Sequence, residues 1–488
     1  MSKTDSVYDL VVIGTGVAAS TVAWKCHSAG WKIVVIDSRP FGGTCALRGC
    51  DPKKVLVGAA EIIDWNHRMG DKGINNTKDI HIKWPELMRF KRSFTEPVPK
   101  AREDQFSNAG IDTFHGHARF TDATTIKVTD KAGTDHVLNG KHILVATGAK
   151  PAKLHIPGEE HVTISDQFLE LDYLPDRIVF IGGGYISFEF AHIAARAGAK
   201  KITILHRSNK PLGQFDPDLV DQLVQSTRQL GIDVQLQTEV KGIAKSSNNG
   251  LAVNVVYVGE NGNRTKEDHI IETEMVVHGA GRVPDIETLD LESAGIEYDK
   301  KKGIKVNEYL QSISNPAVYA AGDVVVGSGG PQLTPIATYD GKIVVSNLLK
   351  GNHLKPNYIG VPSVVFTIPP LASVGLQESV AKEQGLHFKT NFQKNTSSWY
   401  TSRRIGESYS GFKVLVEQRQ GNATTTNGND DYDSNNGSRV LGAHLLGTHA
   451  EEIINIFALA IRLGLDTTDI KDAILSYPTK SSDIGYML

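Results

Sequence analysis

A short apolar strand, a glycine turn and a helix occur in that order twice in this chain, and few folds accommodate the pair. Tyr8–Ile13 reads as the first strand, Gly14-Thr15-Gly16-Val17-Ala18-Ala19 as its turn, and the stretch to about Ala29 as the helix. Lys32–Ile36 is the next strand and ends in Asp37. The second copy has Arg177–Ile181, then Gly182-Gly183-Gly184-Tyr185-Ile186-Ser187, a helix to about Ala197 and the strand Ile202–Leu205. A glycine turn at a helix N-terminus lets backbone N–H groups approach a pyrophosphate, with the helix dipole assisting. One such turn is a weak signal. Two copies about 168 positions apart (Gly14 to Gly182), each in a βαβ unit, are a strong one.

At 488 residues the chain is too long for one core and suggests about three domains. A net charge of −3 gives no electrostatic reason to bind nucleic acid or an anionic membrane. The apolar run Leu10–Ile13 is too short for a signal peptide, and no stretch reaches the roughly 18 apolar residues that span a bilayer. The expectation is a soluble, cytoplasmic protein. From about residue 356 the character changes to strands (Ser363–Phe366, Gly411–Glu417, Val440–Leu446) followed by a helix at Glu451–Leu463. Segment 421–438 is rich in Asn, Asp, Thr, Gly and Ser and is expected to be a flexible loop.

Two of the three cysteines, Cys45 and Cys50, lie just after the first βαβ unit in Gly42-Gly43-Thr44-Cys45-Ala46-Leu47-Arg48-Gly49-Cys50-Asp51-Pro52-Lys53-Lys54. In a long chain a close pair is more often catalytic or metal-binding than a structural staple. No second pair completes a Cys-rich zinc site, so no metal is expected. In a regular helix, Cα atoms five positions apart sit roughly 8.6 Å from each other. A disulfide needs less than about 7 Å, so the backbone around Leu47–Gly49 must be distorted, with Gly49 supplying the freedom. Cys26, beside Trp24, reads as packing.

These motifs together resemble the pyridine-nucleotide (flavoprotein) disulfide reductases, the family of glutathione reductase, dihydrolipoamide dehydrogenase and mercuric reductase. The resemblance runs from about residue 7 to about 483 and includes Ile143–Gly148, VVHGAGRVPD at 276–285 and VYAAGD at 318–323. It implies an α/β fold with two Rossmann-like domains and a C-terminal α+β interface domain. The implied boundaries are 1–155 and 281–355 for FAD binding, 156–280 for NAD(P)H binding, and 356–488 for dimerisation.

For FAD the resemblance implies Gly14, Gly16, Asp37, Gly43, Thr44, Lys53, Ala118, Thr147, Gly148, Asp323 and Thr334, the last opening a helix aimed at the flavin ring. For the nicotinamide cofactor it implies Gly182, Gly183, Gly184, Tyr185, Ile186, Glu189, Arg207, Gly281 and Arg282. Tyr185 matches the residue that covers the flavin face, and Glu189 the carboxylate that pairs with Lys53. Where NAD-dependent relatives carry an acid this chain has His206 followed by Arg207, and Ser187 stands where they usually have Gly. Both point to NADPH, because Arg is a good bidentate phosphate partner. The family's second phosphate-binding Arg falls on Gly213, so Lys210 is the remaining cation and NADH stays possible.

By the same resemblance Cys50 faces the flavin as a thiolate and Cys45 is the exposed interchange thiol. Lys53 and Arg48 are expected to supply positive charge. The chain departs from the pattern at Tyr477-Pro478-Thr479, where most of the family has a His that acts from the partner subunit. The orienting Glu falls on Ser482, with Asp483 next door. A phenol is a poorer base than imidazole at neutral pH, so ordinary thiol–disulfide exchange is expected to be impaired. Mercuric reductase also has Tyr there, but delivers its metal through a C-terminal cysteine pair that this sequence lacks after Cys50. The expected activity is that of a homodimeric FAD enzyme of cell redox homeostasis. It passes electrons from NADPH to Cys45–Cys50 and on to a small-molecule disulfide or other thiol-reactive acceptor. The alternatives are reduction of a thiol-bound metal, quinone reduction directly from flavin, and a nucleotide-sensing or partner-binding flavoprotein without turnover.

Overall fold

The computed structural model describes residues 7–246, 250–259, 269–326, 330–418 and 437–488. Most of the predicted loop 421–438 lies outside the described residues, which include only Gly437 and Ser438 of it. Strand β1 (Val7–Ile13) is buried almost throughout from Leu10 onward, as a parallel strand covered on both faces should be. Helix α1 (Val17–Ser28) returns the chain to β2 (Ile33–Asp37). The helices α2 (Gly43–Arg48), α3 (Cys50–Met69), α4 (Trp84–Thr95) and α5 (Val98–Asn108) precede β3 (Asp112–His115), β4 (His117–Phe120), β5 (Thr125–Thr129) and β6 (Asp135–Val145). The sheet order is β3-β2-β1-β6-β5-β4, and strand Val318–Ala320 adds parallel to β6. Pairing is parallel from β3 through β6 and antiparallel at β5 and β4.

The short strand β7 (Ala149–Pro151) pairs with Arg282–Pro284. After α6 (Ser165–Phe168) comes the second parallel sheet: β8 (Arg177–Ile181), α7 (Tyr185–Arg196), β9 (Lys201–Leu205), α8 (Pro217–Gln229) and β10 (Ile232–Gln235). Its order is β10-β9-β8 followed by Met275–His278. An antiparallel meander of Thr238–Lys245, Leu251–Tyr257 and His269–Thr273 is inserted before that last strand. Helix α9 (Thr334–Lys350) packs on α1, where Gly341 permits a close approach: a Cβ there would sit 3.1 Å from the Ala18 carbonyl oxygen. The C-terminal part is a five-stranded antiparallel sheet backed by the helix Ala450–Leu463. Phe457, Ile454 and Val414 are fully buried in its core. The expected α/β class with a C-terminal α+β part is the fold adopted. Among the described residues no helix is long and apolar enough to cross a membrane.

Candidate redox and dinucleotide site

In open parallel sheets, ligands bind beyond the carboxyl ends of the strands. Both sheets here turn those ends to one cavity of about 1490 Å³. Its wall includes the ends of β1, β2 and β6, the turn after β8, the end of β9, and Gly281-Arg282. Two glycines explain how the backbone comes so close. Gly14 has φ +114°, and a Cβ on it would meet the Ala146 carbonyl oxygen at 2.4 Å. Gly182 has φ +105°, and its Cβ would meet the Gly279 carbonyl oxygen at 2.4 Å. Any other residue would be strained and would also push the neighbouring strand away.

On the first-turn side, the Thr15 hydroxyl and the Arg39 N–H both donate to the Asp37 carboxylate, at 2.6 and 2.9 Å, and fix it at the cavity edge. Thr147 lines the cavity with a buried hydroxyl that has no partner among the described residues, an orphan that a bound polar group would satisfy. Asp323 also faces the cavity, and burial pushes its carboxyl above the usual range. Gly16, Gly43, Thr44, Ala118 and Gly148 complete this wall. An orphan hydroxyl, open glycine turns and a fixed carboxylate at the cavity edge suit a dinucleotide.

On the second-turn side, Gly184, Tyr185, Ile186 and Arg207 line the cavity, with Arg207 exposed at the end of β9. Gly183 lines the cavity as well, and its amide donates to His206 Nδ1 at 3.0 Å. His206 Nε2 faces the Lys210 carbonyl at 3.1 Å, so the ring acts as a brace, and burial pushes its pKa down. Ser187, read as a cofactor-preference marker, is fully buried against Gly279 and does not line the cavity.

Helix α2 ends at Gly49, whose φ −141° and ψ −115° break the helix before α3 begins at Cys50. The predicted distortion is present at the predicted residue. A Cβ on Gly49 would meet the Thr44 carbonyl oxygen at 2.9 Å. Both thiols are free, and their exposure reverses the expectation: Cys50 is exposed and Cys45 half-buried. The neighbouring Cys45 thiol lowers Cys50 to about 6, against the opposing effect of burial; Thr334 and the Lys53 charge lower it further. Cys50 also begins a 20-residue helix, whose dipole favours an anion at that end. The neighbouring Cys50 pushes the Cys45 thiol up, with burial adding to the effect.

Lys53 donates to Glu189 at 2.9 Å, and Glu189, 1% exposed, also accepts the Phe366 N–H at 2.8 Å. The ammonium group lies 4.6 Å from the centre of the Phe366 ring. Thr334, expected at the cofactor, sits with its hydroxyl 3.4 Å from Cys50 Sγ. Arg48 does not add to the positive charge on the sulfurs. Its guanidinium turns to Asp166 at 3.7 Å, and the leading charges at Cys50 are Lys53 and Asp51. Arg282 donates to the Ala149 carbonyl and so ties the two crossing segments together.

Tyr477 is 80% exposed and does not line its own chain's cavity. Neither neighbour orients it: Ser482 donates to the Thr479 carbonyl at 2.6 Å, and Asp483 is buried and accepts from Thr401. Sequence reasoning did not single out Asp51, although its place directly after Cys50 was a visible signal; Cys45 Sγ donates to its Oδ1 at 3.8 Å. It also missed the Phe366 contact, which joins elements far apart in sequence.

Comparison with known proteins agrees with this geometry. Residues 8–341 match the model of the pyridine nucleotide-disulphide oxidoreductases, and residues 432–487 match that family's dimerisation domain. The chain is 31% identical to a mercuric reductase of Staphylococcus aureus, over 98% of this chain and 82% of that one. It is 30% identical to a glutathione reductase of Burkholderia cepacia, over 99% and 98%. A solved copper(II) complex of RclA, an HOCl-induced flavoprotein disulfide reductase of Escherichia coli, superimposes with a TM-score of 0.83. That match is 26% identical and covers 99% of both chains.

Proposed function

The chain belongs to the pyridine nucleotide-disulphide oxidoreductase family, and on that premise we propose that it uses FAD and NADPH to reduce a small-molecule disulfide through Cys45 and Cys50. It is a flavin- and pyridine-nucleotide-dependent oxidoreductase acting on sulfur, and its dimerisation domain supports a homodimer. The observation that carries the disulfide reading is the free Cys45–Cys50 pair on the cavity wall, with Thr334 against Cys50 and the Lys53–Glu189 pair lining the same cavity.

Residues 1–155 and 281–355 would bind FAD through Gly14, Gly16, Asp37, Thr147 and Asp323. Residues 156–280 would bind NADPH through Gly182, Gly184, Tyr185 and Arg207, and residues 356–488 would form the dimer. When bound, flavin supplies a carrier that accepts hydride from reduced nicotinamide and passes on an electron pair. Lys53, held by Glu189, stabilises negative charge at Cys50. Thr334 gives the Cys50 sulfur a hydroxyl partner. Cys45, the other member of the pair, attacks the acceptor, and Cys50 then closes the disulfide.

The test is Cys45→Ser. The variant should retain nicotinamide-driven flavin reduction and lose turnover of disulfides; continued disulfide turnover would sink the assignment. A thiol-bound metal ion is the second reading, favoured by the mercuric reductase relatives and by the copper(II) complex of the structural neighbour.

A further inference from the structure

We propose that Asp51 is the proton acceptor for the Cys45 thiol, working within a single chain. The proposal rests on the reading above that Cys45 attacks the acceptor. Asp51 lies in the first turn of α3, directly after Cys50, yet its side chain reaches the other sulfur: Cys45 Sγ donates to its Oδ1 at 3.8 Å. Long contacts of this kind tighten when substrate is bound. The nearby cations are turned elsewhere, with Arg48 on Asp166, Lys53 on Glu189 and Lys54 on Glu61. Among the described residues, no ion pair engages the Asp51 carboxylate.

The proton on Cys45 needs a destination. The neighbouring Cys50, burial and the charge of Asp51 all keep this thiol protonated, so it meets an acceptor as S–H. Among the described residues, Asp51, Lys53 and Thr334 act on the two sulfurs, and the Tyr185 phenol, pushed up by burial, also feels Cys50. Lysine as an ammonium and the threonine hydroxyl are not bases at neutral pH. Cys50 itself could take the proton, but that would quench the nucleophile needed for the second step. Asp51 can take it and leave Cys50 a thiolate. Tyr477, exposed and unoriented, offers no in-chain alternative.

The chemistry balances as follows. Asp51 takes the Cys45 proton as Sγ attacks one sulfur of R–S–S–R. The Cys45–S–R bond forms, the acceptor's S–S bond breaks, and the leaving RS⁻ recovers the proton from Asp51 as RSH. The Cys50 thiolate then attacks Cys45 Sγ, closing the Cys45–Cys50 bond and releasing the second RS⁻, which is protonated by water. The dithiol loses two electrons and the acceptor gains two.

The test compares wild type, Asp51→Asn and Asp51→Glu as flavin-loaded dimers, with NADPH and the neutral 2-hydroxyethyl disulfide, across about pH 6 to about pH 9. At neutral pH the Asn variant should lose roughly tenfold to a hundredfold in kcat, at the low end of general-base contributions. Because Cys45 stays protonated across this range, the deficit should persist, and Glu should recover most of the rate. A second readout needs no cofactor: in chemically reduced protein, alkylation of Cys45 by iodoacetamide should slow in the Asn variant. An Asn variant as fast as wild type or faster in either assay would overturn the proposal, because the carboxylate would then merely suppress the thiolate. A Glu variant as slow as the Asn variant would overturn it too. If wild type reduces no disulfide while Cys45 alkylation still depends on Asp51, the substrate reading fails and the proton assignment stands.

Discussion

Cys50 is favoured as a thiolate by the neighbouring Cys45, by Thr334, by Lys53 and by its place at the start of a helix. The sign of the pH effect follows from a depressed thiol. Its extra stabilisation is fully present above the ordinary thiol range and is lost as pH falls through about 6. Thiolate ultraviolet absorbance of the reduced protein should therefore titrate with a first midpoint near 6, and in Lys53→Met that midpoint should move up. An unchanged midpoint in the variant would remove Lys53 from the account. Both cysteines were legible as a redox pair from their spacing and flanking residues. The direction in which Arg48 points was not, because its partner Asp166 lies 118 positions along the chain (48 to 166) and only folding brings the two together.

At the scale of elements, the turn after β8 and the end of β9 act as one unit. His206 braces the Gly183 amide, which leaves the exposed Arg207 beside it to meet a ligand. A charge-assisted contact to a phosphate is worth roughly 1.5–3 kcal/mol. Arg207→Ala should accordingly raise KM for NADPH about tenfold to a hundredfold and leave KM for NADH nearly unchanged. Equal effects on the two cofactors would mean that Arg207 does not read the 2′-phosphate. The βαβ elements themselves were readable to within about one residue at most ends, since a fully apolar strand followed by a glycine turn has few other solutions. Ser187, in the first turn of α7, faces Gly279 and not the cavity, a direction that spacing along the chain does not record.

At the scale of the whole molecule, the C-terminal part exposes Leu459, Leu463, Ile474, Tyr477 and Tyr486, with Ile474 wholly exposed. Apolar groups left in water on a segment that matches a dimerisation domain belong against a second copy. Ile474→Asp should weaken the dimer, seen as a monomer fraction by sedimentation at micromolar protein, and turnover should fall with it. A variant that stays fully dimeric would place the interface elsewhere. The sequence alone determined the two nucleotide-binding units, the redox pair and the break at Gly49, because each rests on contacts between residues close along the chain. Tertiary structure alone decided that Thr334 meets Cys50, that Phe366 completes the Lys53–Glu189 site and that His206 takes the Gly183 amide. Those contacts depend on how strands and helices cross, and local spacing carries no record of that.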